Sequence, residues 1–194
     1  MNITTTPVTP HPLRRVLIVH GYAAAPDAHW FPWLRDSLDT AGVNATVVTL
    51  PTPNAPKAAA WTATVSEAIG VPDAGTWIVA HSLGGITVLR ALAALTEPWQ
   101  LGGLVLVSGF TGALKSLPVL DEYLSTDIDA ERIAKIISVR AMVRSDADAF
   151  VPAAASDELA QRLNAELHIQ PGAGHFLTED GVHDLPLVLD MLRQ

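Results

Sequence analysis

A serine, an acid and a histidine each follow a short apolar segment of this chain. They are Ser82, Asp148 and His175, and the segments before them are 76–80, 139–143 and 167–170. A serine hydroxyl attacks a carbonyl carbon only when a neutral imidazole takes up its proton, and a carboxylate fixes the tautomer of that imidazole. These three residue types, brought together, would catalyse acyl transfer through a covalent acyl-enzyme.

The segment around Ser82 has the pattern of a sharp strand-to-helix turn. Ala80-His81-Ser82-Leu83-Gly84 joins a β-favouring run to a segment of helical periodicity, which is the layout of a nucleophile elbow. Small residues are needed two positions before and after the serine, because backbone segments nearly collide there. Gly84 meets this need, and Ala80 stands where the common pattern has glycine. Taken alone, such a serine is more often a turn residue or a helix N-cap.

Two acids compete for the place beside His175. Asp148 is favoured over Asp146, because it stands shortly before Pro152, where a helix is predicted to begin. Asp146 would instead stabilise a turn. For His175, which follows Gly174, the alternative is a loop histidine bonded to the backbone. The chain order serine, aspartate, histidine is the one found in α/β-hydrolases, and it favours the catalytic interpretation.

Backbone amides near the serine are the predicted donors to the negatively charged oxygen of the reaction intermediate. The amide of Leu83 follows Ser82 directly, and Gly21 permits a close turn that leaves the amide of Tyr22 free to point inward. Tyr22 and Trp30 are also the predicted substrate-contacting side chains. The segment 111–127 carries several large apolar residues, which would either form a partial rim over the pocket or be buried against the sheet.

Short apolar runs alternate with amphipathic ones along the chain, which predicts alternating strands and helices. The predicted strands are 16–20, 46–50, 76–80, 104–108, 139–143 and 167–170, and the predicted helices are 30–41, 57–69, 83–95, 130–137, 152–164 and 185–193. Near-continuous apolar strands that alternate with helices are typical of a parallel sheet covered on both faces, so the fold class is α/β. The chemistry of such sheets collects at the carboxyl ends of the strands, where the three residues stand.

The composition is that of one compact domain with an acidic surface. Of the 194 residues, 49% are hydrophobic and 16% are charged, which predicts a single domain over 13–194 preceded by a flexible tail at 1–12. A formal net charge of -8 disfavours nucleic acid and anionic membranes as partners.

Several other classes of site and location are disfavoured. The chain has no cysteine, which excludes disulfides, a cysteine nucleophile and thiolate zinc sites. The histidines lack metal-ligand spacing and no phosphate-binding glycine motif is present, so neither a metal nor another cofactor is expected. No segment has the order of a signal peptide or the length of a membrane span, and a cytoplasmic location is the expectation.

The chain resembles the small serine hydrolases typified by bacterial YdeN and vertebrate retinoblastoma-binding protein 9, and above all the YdeN branch. The resemblance runs from Val16 to the C-terminus and is carried by 20–22, His29-Trp30-Phe31-Pro32-Trp33-Leu34, 79–84, 106–110, 148–152 and 174–177. It implies a minimal α/β-hydrolase fold with six parallel strands in the order 2-1-3-4-5-6 and helices on both faces. It also implies Ser82 as nucleophile, Asp148 as acid and His175 as base.

The expected function is that of a carboxylesterase-like serine hydrolase acting on a small-molecule ester, with amides or thioesters as further possibilities. The alternative is a catalytically silent hydrolase fold that serves as a binding module for a protein or ligand. A dehalogenase is disfavoured because its elbow carries an aspartate where this chain has Ser82, whereas a perhydrolase side activity would use the same residues. The vertebrate relative binds retinoblastoma protein through a Leu-x-Cys-x-Glu motif, and a chain without cysteine is not expected to do so. The oligomeric state is left open.

Overall fold

The computed structural model describes residues 13–96 and 98–193. Its six strands are β1 Arg15–Val19, β2 Asn44–Val48, β3 Thr76–His81, β4 Leu101–Val107, β5 Ile137–Ser145 and β6 Glu166–Gln170. Its α-helices are α1 Phe31–Thr40, α2 Ala58–Ile69, α3 Leu83–Ala94, α4 Ala130–Ala134, α5 Ala153–Leu163 and α6 Pro186–Leu192. Two short 3-10 turns lie at Pro118–Leu120 and Thr178–Asp180. The predicted tail at 1–12 lies outside the described residues.

All six strands belong to one sheet in the order β2-β1-β3-β4-β5-β6, and every neighbouring pair is parallel. The predicted fold class and strand order are therefore confirmed. Parallel neighbours need a crossover connection, and helices supply it here. Because the strands all run in one direction, their carboxyl ends meet at one edge of the sheet, and the loops that follow them lie together there.

Helices cover both faces of the sheet, and the central strands β3 and β4 are therefore buried along nearly their whole length. Helices α1 and α6 pack on one face, around Phe31, Leu34 and Val188. Helices α2 to α5 pack on the other face, where Trp61 and Ile86 are among the buried residues. Within 13–96 and 98–193, no helix combines the length and apolar character that crossing a membrane requires.

The predicted strands and helices are all present, with ends that differ by at most three residues. The largest difference at a strand start is in β4, which begins at Leu101 and includes Gly102 and Gly103. Glycine has low strand propensity, so the sequence predicted a later start. A Cβ at Gly103 would lie 2.2 Å from the ring of Trp77 on the neighbouring strand. The glycine is therefore required by the packing of β3 against β4.

Candidate active site

Ser82 stands in a sharp turn between β3 and α3, with φ 54° and ψ -125°. Positive φ costs a residue with a side chain about 1–3 kcal/mol, and such residues cluster at functional sites. The turn is tightly packed, because a Cβ on Gly84 would lie 2.6 Å from the carbonyl oxygens of Val19 and His20. A Cβ on Gly21 would lie 2.9 Å from the Cβ of Ser82. The predicted strand-turn-helix geometry, with its need for glycine after the serine, is present.

His175 lies between Ser82 and Asp148 and is hydrogen-bonded to both. Its Nε2 is 3.0 Å from Ser82 Oγ, and its Nδ1 is 2.8 Å from Asp148 Oδ2. An ionised carboxylate only accepts hydrogen bonds, so Nδ1 carries the proton and Nε2 is left to accept from the hydroxyl. Ser82 and His175 are 5% and 7% exposed, so little water competes for these bonds. The structure thus brings the three predicted residues into one hydrogen-bonded line.

The carboxylate of Asp148 is fixed by four hydrogen bonds. Its Oδ1 accepts from the amides of Phe150 and Val151, each at 2.9 Å. Its Oδ2 accepts from His175 and from Ser108 Oγ, each at 2.8 Å. Burial alone would raise the pKa of Asp148, but the hydrogen bond and charge of His175 and the two amides outweigh it and lower the pKa. The group is therefore held as an ionised acceptor.

Asp146, the alternative acid, has a different place in the structure. Its exposed side chain accepts a hydrogen bond from the Gly172 amide at 2.8 Å. This bond ties the loop after β5 to the loop after β6, which carries His175. Of the two candidate acids, the structure places Asp148 against the imidazole and Asp146 at the surface.

The amide of Tyr22 belongs to a peptide group that a buried histidine holds in place. His20 Nδ1 donates to the Gly21 carbonyl at 2.9 Å, and His20 Nε2 accepts from the Leu50 amide at 3.4 Å. Burial lowers the pKa of His20 and favours the neutral form that this pairing requires. Because a trans peptide is planar with its N–H and C=O on opposite sides, fixing the Gly21 carbonyl also fixes the direction of the Tyr22 N–H.

The second predicted donor, the amide of Leu83, opens helix α3. The first N–H groups of a helix have no acceptor within it, and the helix dipole gives this end a partial positive charge. On the other side of Ser82, a Cβ on Gly21 would lie 3.3 Å from Ser82 Oγ. The Gly21–Tyr22 backbone and the start of α3 therefore both lie close to the Ser82 hydroxyl.

The two predicted substrate-contacting side chains differ in exposure. Tyr22 is half-buried and packs against the core on the α2 face. Trp30 is wholly buried, with its ring 4.7 Å from that of Phe31 and 6.1 Å from that of His81. Its large apolar ring fills the core beneath the turn, so the structure places Trp30 in the core and not on a pocket wall.

Most of the large apolar residues in the segment 111–127 are buried, as one of the two predicted alternatives had it. Leu114, Leu120, Tyr123 and Leu124 all belong to the core on the α2 face. Val119 is 66% exposed and is the exception. Since these side chains point into the core, the segment contributes its backbone and few apolar side chains to any rim over Ser82.

Two residues beside this site were not identified from the sequence. Ser108 follows β4 and donates to Asp148, and the rule of searching every strand end would have found it. Phe150 is 38% exposed, and its ring lies edge-on to that of His175 with centroids 5.2 Å apart. Its position two residues after Asp148 could have indicated this, because the loop that carries the acid brings its neighbours to the same edge of the sheet.

Another histidine near the site, His29, joins two loops by a hydrogen bond. His29 Nδ1 accepts a hydrogen bond from the Thr178 amide at 3.1 Å, which joins the loop before α1 to the loop after His175. Among the residues that the structure describes, no three histidine, aspartate or glutamate side chains are grouped so that they could hold a metal ion.

A family model and two related proteins all indicate the same family for this chain. The model of the family described as serine hydrolase matches residues 16–194. YdeN of Bacillus subtilis (strain 168) is 40% identical over 179 residues, which are 92% of this chain and 94% of that protein. The serine hydrolase RBBP9 of Rattus norvegicus is 27% identical over 165 residues, 84% of this chain and 86% of that protein.

The structural comparison agrees with the sequence comparison. The crystal structure of the ydeN gene product from B. subtilis superposes with a TM-score of 0.89 at 39% identity, covering 93% of this chain and 97% of that one. The family model and the bacterial relative each span most of the chain. The predicted resemblance is therefore confirmed, and the chain belongs to the serine hydrolase family.

Proposed function

We propose that this protein hydrolyses small carboxylic esters, with Ser82 as nucleophile, His175 as general base and Asp148 as the acid that orients it. The observation that carries the proposal is the continuous hydrogen-bonded line from Ser82 Oγ through His175 to Asp148, with both links between 2.8 and 3.0 Å. A purely structural role would not require a buried serine at positive φ to form a hydrogen bond with a buried imidazole.

In the first half of the reaction, Ser82 Oγ bonds to the carbonyl carbon while its proton passes to His175 Nε2. The negative charge moves to the carbonyl oxygen, where the amides of Leu83 and Tyr22 donate hydrogen bonds to it. Asp148 stabilises the imidazolium without taking its proton. The carbon–oxygen bond to the alcohol then breaks, and Nε2 returns the proton to the departing alcohol.

In the second half, water replaces the alcohol. His175 takes a proton from the water, whose oxygen bonds to the acyl carbon. When the bond to Ser82 Oγ breaks, the proton returns to Ser82 and the carboxylic acid leaves. Every step transfers a proton or an electron pair between groups already named, so the proposed reaction needs no cofactor. Amide or thioester substrates would follow the same steps with a different leaving group.

The proposal is tested by comparing wild type with Ser82→Ala on p-nitrophenyl esters of increasing acyl length and on a fluorophosphonate probe. Wild type should hydrolyse the short esters and take up one label on Ser82. The variant should lose label and turnover by several orders of magnitude, with an unchanged circular dichroism spectrum. A wild-type protein that neither turns over esters nor is labelled would refute the proposal and favour the silent binding module.

A further inference from the structure

The main chain of His175 is held by side chains on both of its polar groups. Its amide donates to Asp180 Oδ2 at 2.7 Å, and its carbonyl is 2.8 Å from His81 Nε2. A carbonyl only accepts, so Nε2 of His81 carries the proton and Nδ1 is unprotonated. His81 ends β3 directly before Ser82, whereas Asp180 belongs to the 3-10 turn that follows the histidine. The contacts therefore connect the strand of the serine to the loop of the base.

The backbone has positive φ on both sides of His175. Gly174 has φ 56° and Phe176 has φ 59°. A Cβ on Gly174 would lie 2.3 Å from the Asp180 carboxyl carbon, so the glycine lets that side chain approach. Glycine adopts positive φ readily, but for Phe176 it is unfavourable and persists only when surrounding contacts impose it. The hydrogen bonds to Asp180 and His81 are contacts of this kind.

The burial of His81 leaves one of its ring nitrogens without a hydrogen-bond partner in the part of the chain that the structure describes, which packing alone does not explain. It is 2% exposed, and its Nδ1 has no hydrogen-bond partner among the described residues. A buried polar atom without a hydrogen-bond partner lowers the stability of the folded state. Its ring lies 5.8 Å from that of Phe31, in surroundings that a phenylalanine side chain would also suit. A residue that breaks a rule of stability beside an active site is a candidate for a functional role.

We propose that His81 and Asp180 are positioning residues, which hold the His175 main chain from both sides so that its imidazole stays in line with Ser82 and Asp148. This inference rests on the proposed function. Neither side chain touches the reacting atoms. A displacement of about 1 Å in a reacting group can cost on the order of 100-fold in rate, so losing one contact should slow the chemistry while leaving substrate binding unchanged.

Neutrality is part of what position 81 supplies. The ring centroids of His81 and His175 are 4.8 Å apart. Burial, and then the charge of His175, hold the pKa of His81 well below its usual value. A cation at this place would repel the imidazolium that forms on His175 during the reaction. A neutral side chain with one N–H donor at the position of Nε2 meets both needs.

Matched variants separate the donor from the rest of the side chain. His81→Gln places an amide N–H the same number of bonds from Cβ as Nε2, so it can reach the His175 carbonyl. His81→Asn places the N–H one bond nearer and cannot reach, and His81→Phe keeps the ring without any donor. Asp180→Asn keeps an acceptor oxygen for the His175 amide, and Asp180→Ala removes it.

The experiment measures two properties of labelling by a fluorophosphonate probe, the second-order rate constant and the final label per chain, together with kcat and KM on p-nitrophenyl acetate. For His81→Phe, His81→Asn and Asp180→Ala we expect the second-order rate constant of labelling and kcat to fall about tenfold or more. KM should stay within about twofold of the wild-type value, and the final label should stay near one per chain. His81→Gln and Asp180→Asn should stay within about threefold of wild type.

Three results would overturn the inference. The first is a wild-type rate in His81→Phe or Asp180→Ala, and the second is a failure of both conservative variants to restore the rate. The third is a final label that falls in proportion to activity, which would show misfolding and not misplacement. If His81→Phe does not fold, two other comparisons test the inference: His81→Asn against His81→Gln, and Asp180→Ala against Asp180→Asn. A wild-type protein that is not labelled at all would instead refute the proposed function.

Discussion

Ser108 Oγ donates a hydrogen bond to Oδ2 of Asp148, the same oxygen that accepts from His175. Ser108 is wholly buried, lies directly after β4 at φ 48° and donates its own amide to the Val143 carbonyl. Two strand ends, those of β4 and β5, therefore hold the acid between them. The bond both fixes the direction of the carboxylate and favours its ionised form.

Ser108→Ala should lower kcat by about tenfold, because a hydrogen bond to a charged group contributes about 1.5–3 kcal/mol and only part of that is lost from the transition state. Ser156→Ala is the matched control. Ser156 is also buried and donates to the Gly109 carbonyl at 2.8 Å, without touching Asp148. Steady-state kinetics on p-nitrophenyl acetate should show the loss in the first variant only. Equal kcat in both variants would show that the bond from Ser108 has no bearing on catalysis.

Asp148→Asn should lower kcat by about 10³- to 10⁴-fold, whereas Asp146→Asn should change it by less than about threefold. An amide at 148 can donate to His175 Nδ1 and so favours the wrong tautomer of the imidazole. An amide at 146 keeps the carbonyl oxygen that accepts from Gly172. The two variants are compared at one pH with the fluorophosphonate label as a count of active protein, and the reverse ranking would reassign the acid.

Gly84→Ala should destabilise the protein by about 1–3 kcal/mol and lower esterase activity, because the added Cβ would overlap the backbone after β1. Gly85→Ala tests the same change at the next position. There the nearest atom to a new Cβ is Leu106 Cδ2 at 3.5 Å, an ordinary contact. Alanine at this helical site should be neutral or stabilising by up to about 1 kcal/mol. Urea unfolding measures both, and equal stability of the two variants would contradict the close approach at Gly84.

Much of the fold could be predicted because each strand is a short apolar run between turn residues. The order Ser82, Asp148, His175 along the chain, with each residue at a strand end, was likewise visible from residue types alone. Contacts that depend on the exact path of a loop were not. Asp180 lies in a 3-10 turn without periodicity, and nothing local shows that its carboxylate meets the His175 amide. Aromatic residues serve both as pocket walls and as core, and for Trp30 only the burial seen in the structure separates the two roles.

His81→Gln should reduce the loss of stability on mild acidification. Burial, and then the charge of His175, hold the pKa of His81 well below its usual value, so the unfolded chain binds a proton there that the folded chain does not. The stability that this group contributes is therefore full above its unfolded pKa of about 6.5 and falls below it, by up to about 1.4 kcal/mol per pH unit. Urea unfolding at pH 7.5 and pH 5 should give a smaller decrease for this variant than for wild type, while His183→Gln, at an exposed site, keeps the wild-type decrease. Equal decreases in all three proteins would show that the folded state does not hold His81 neutral.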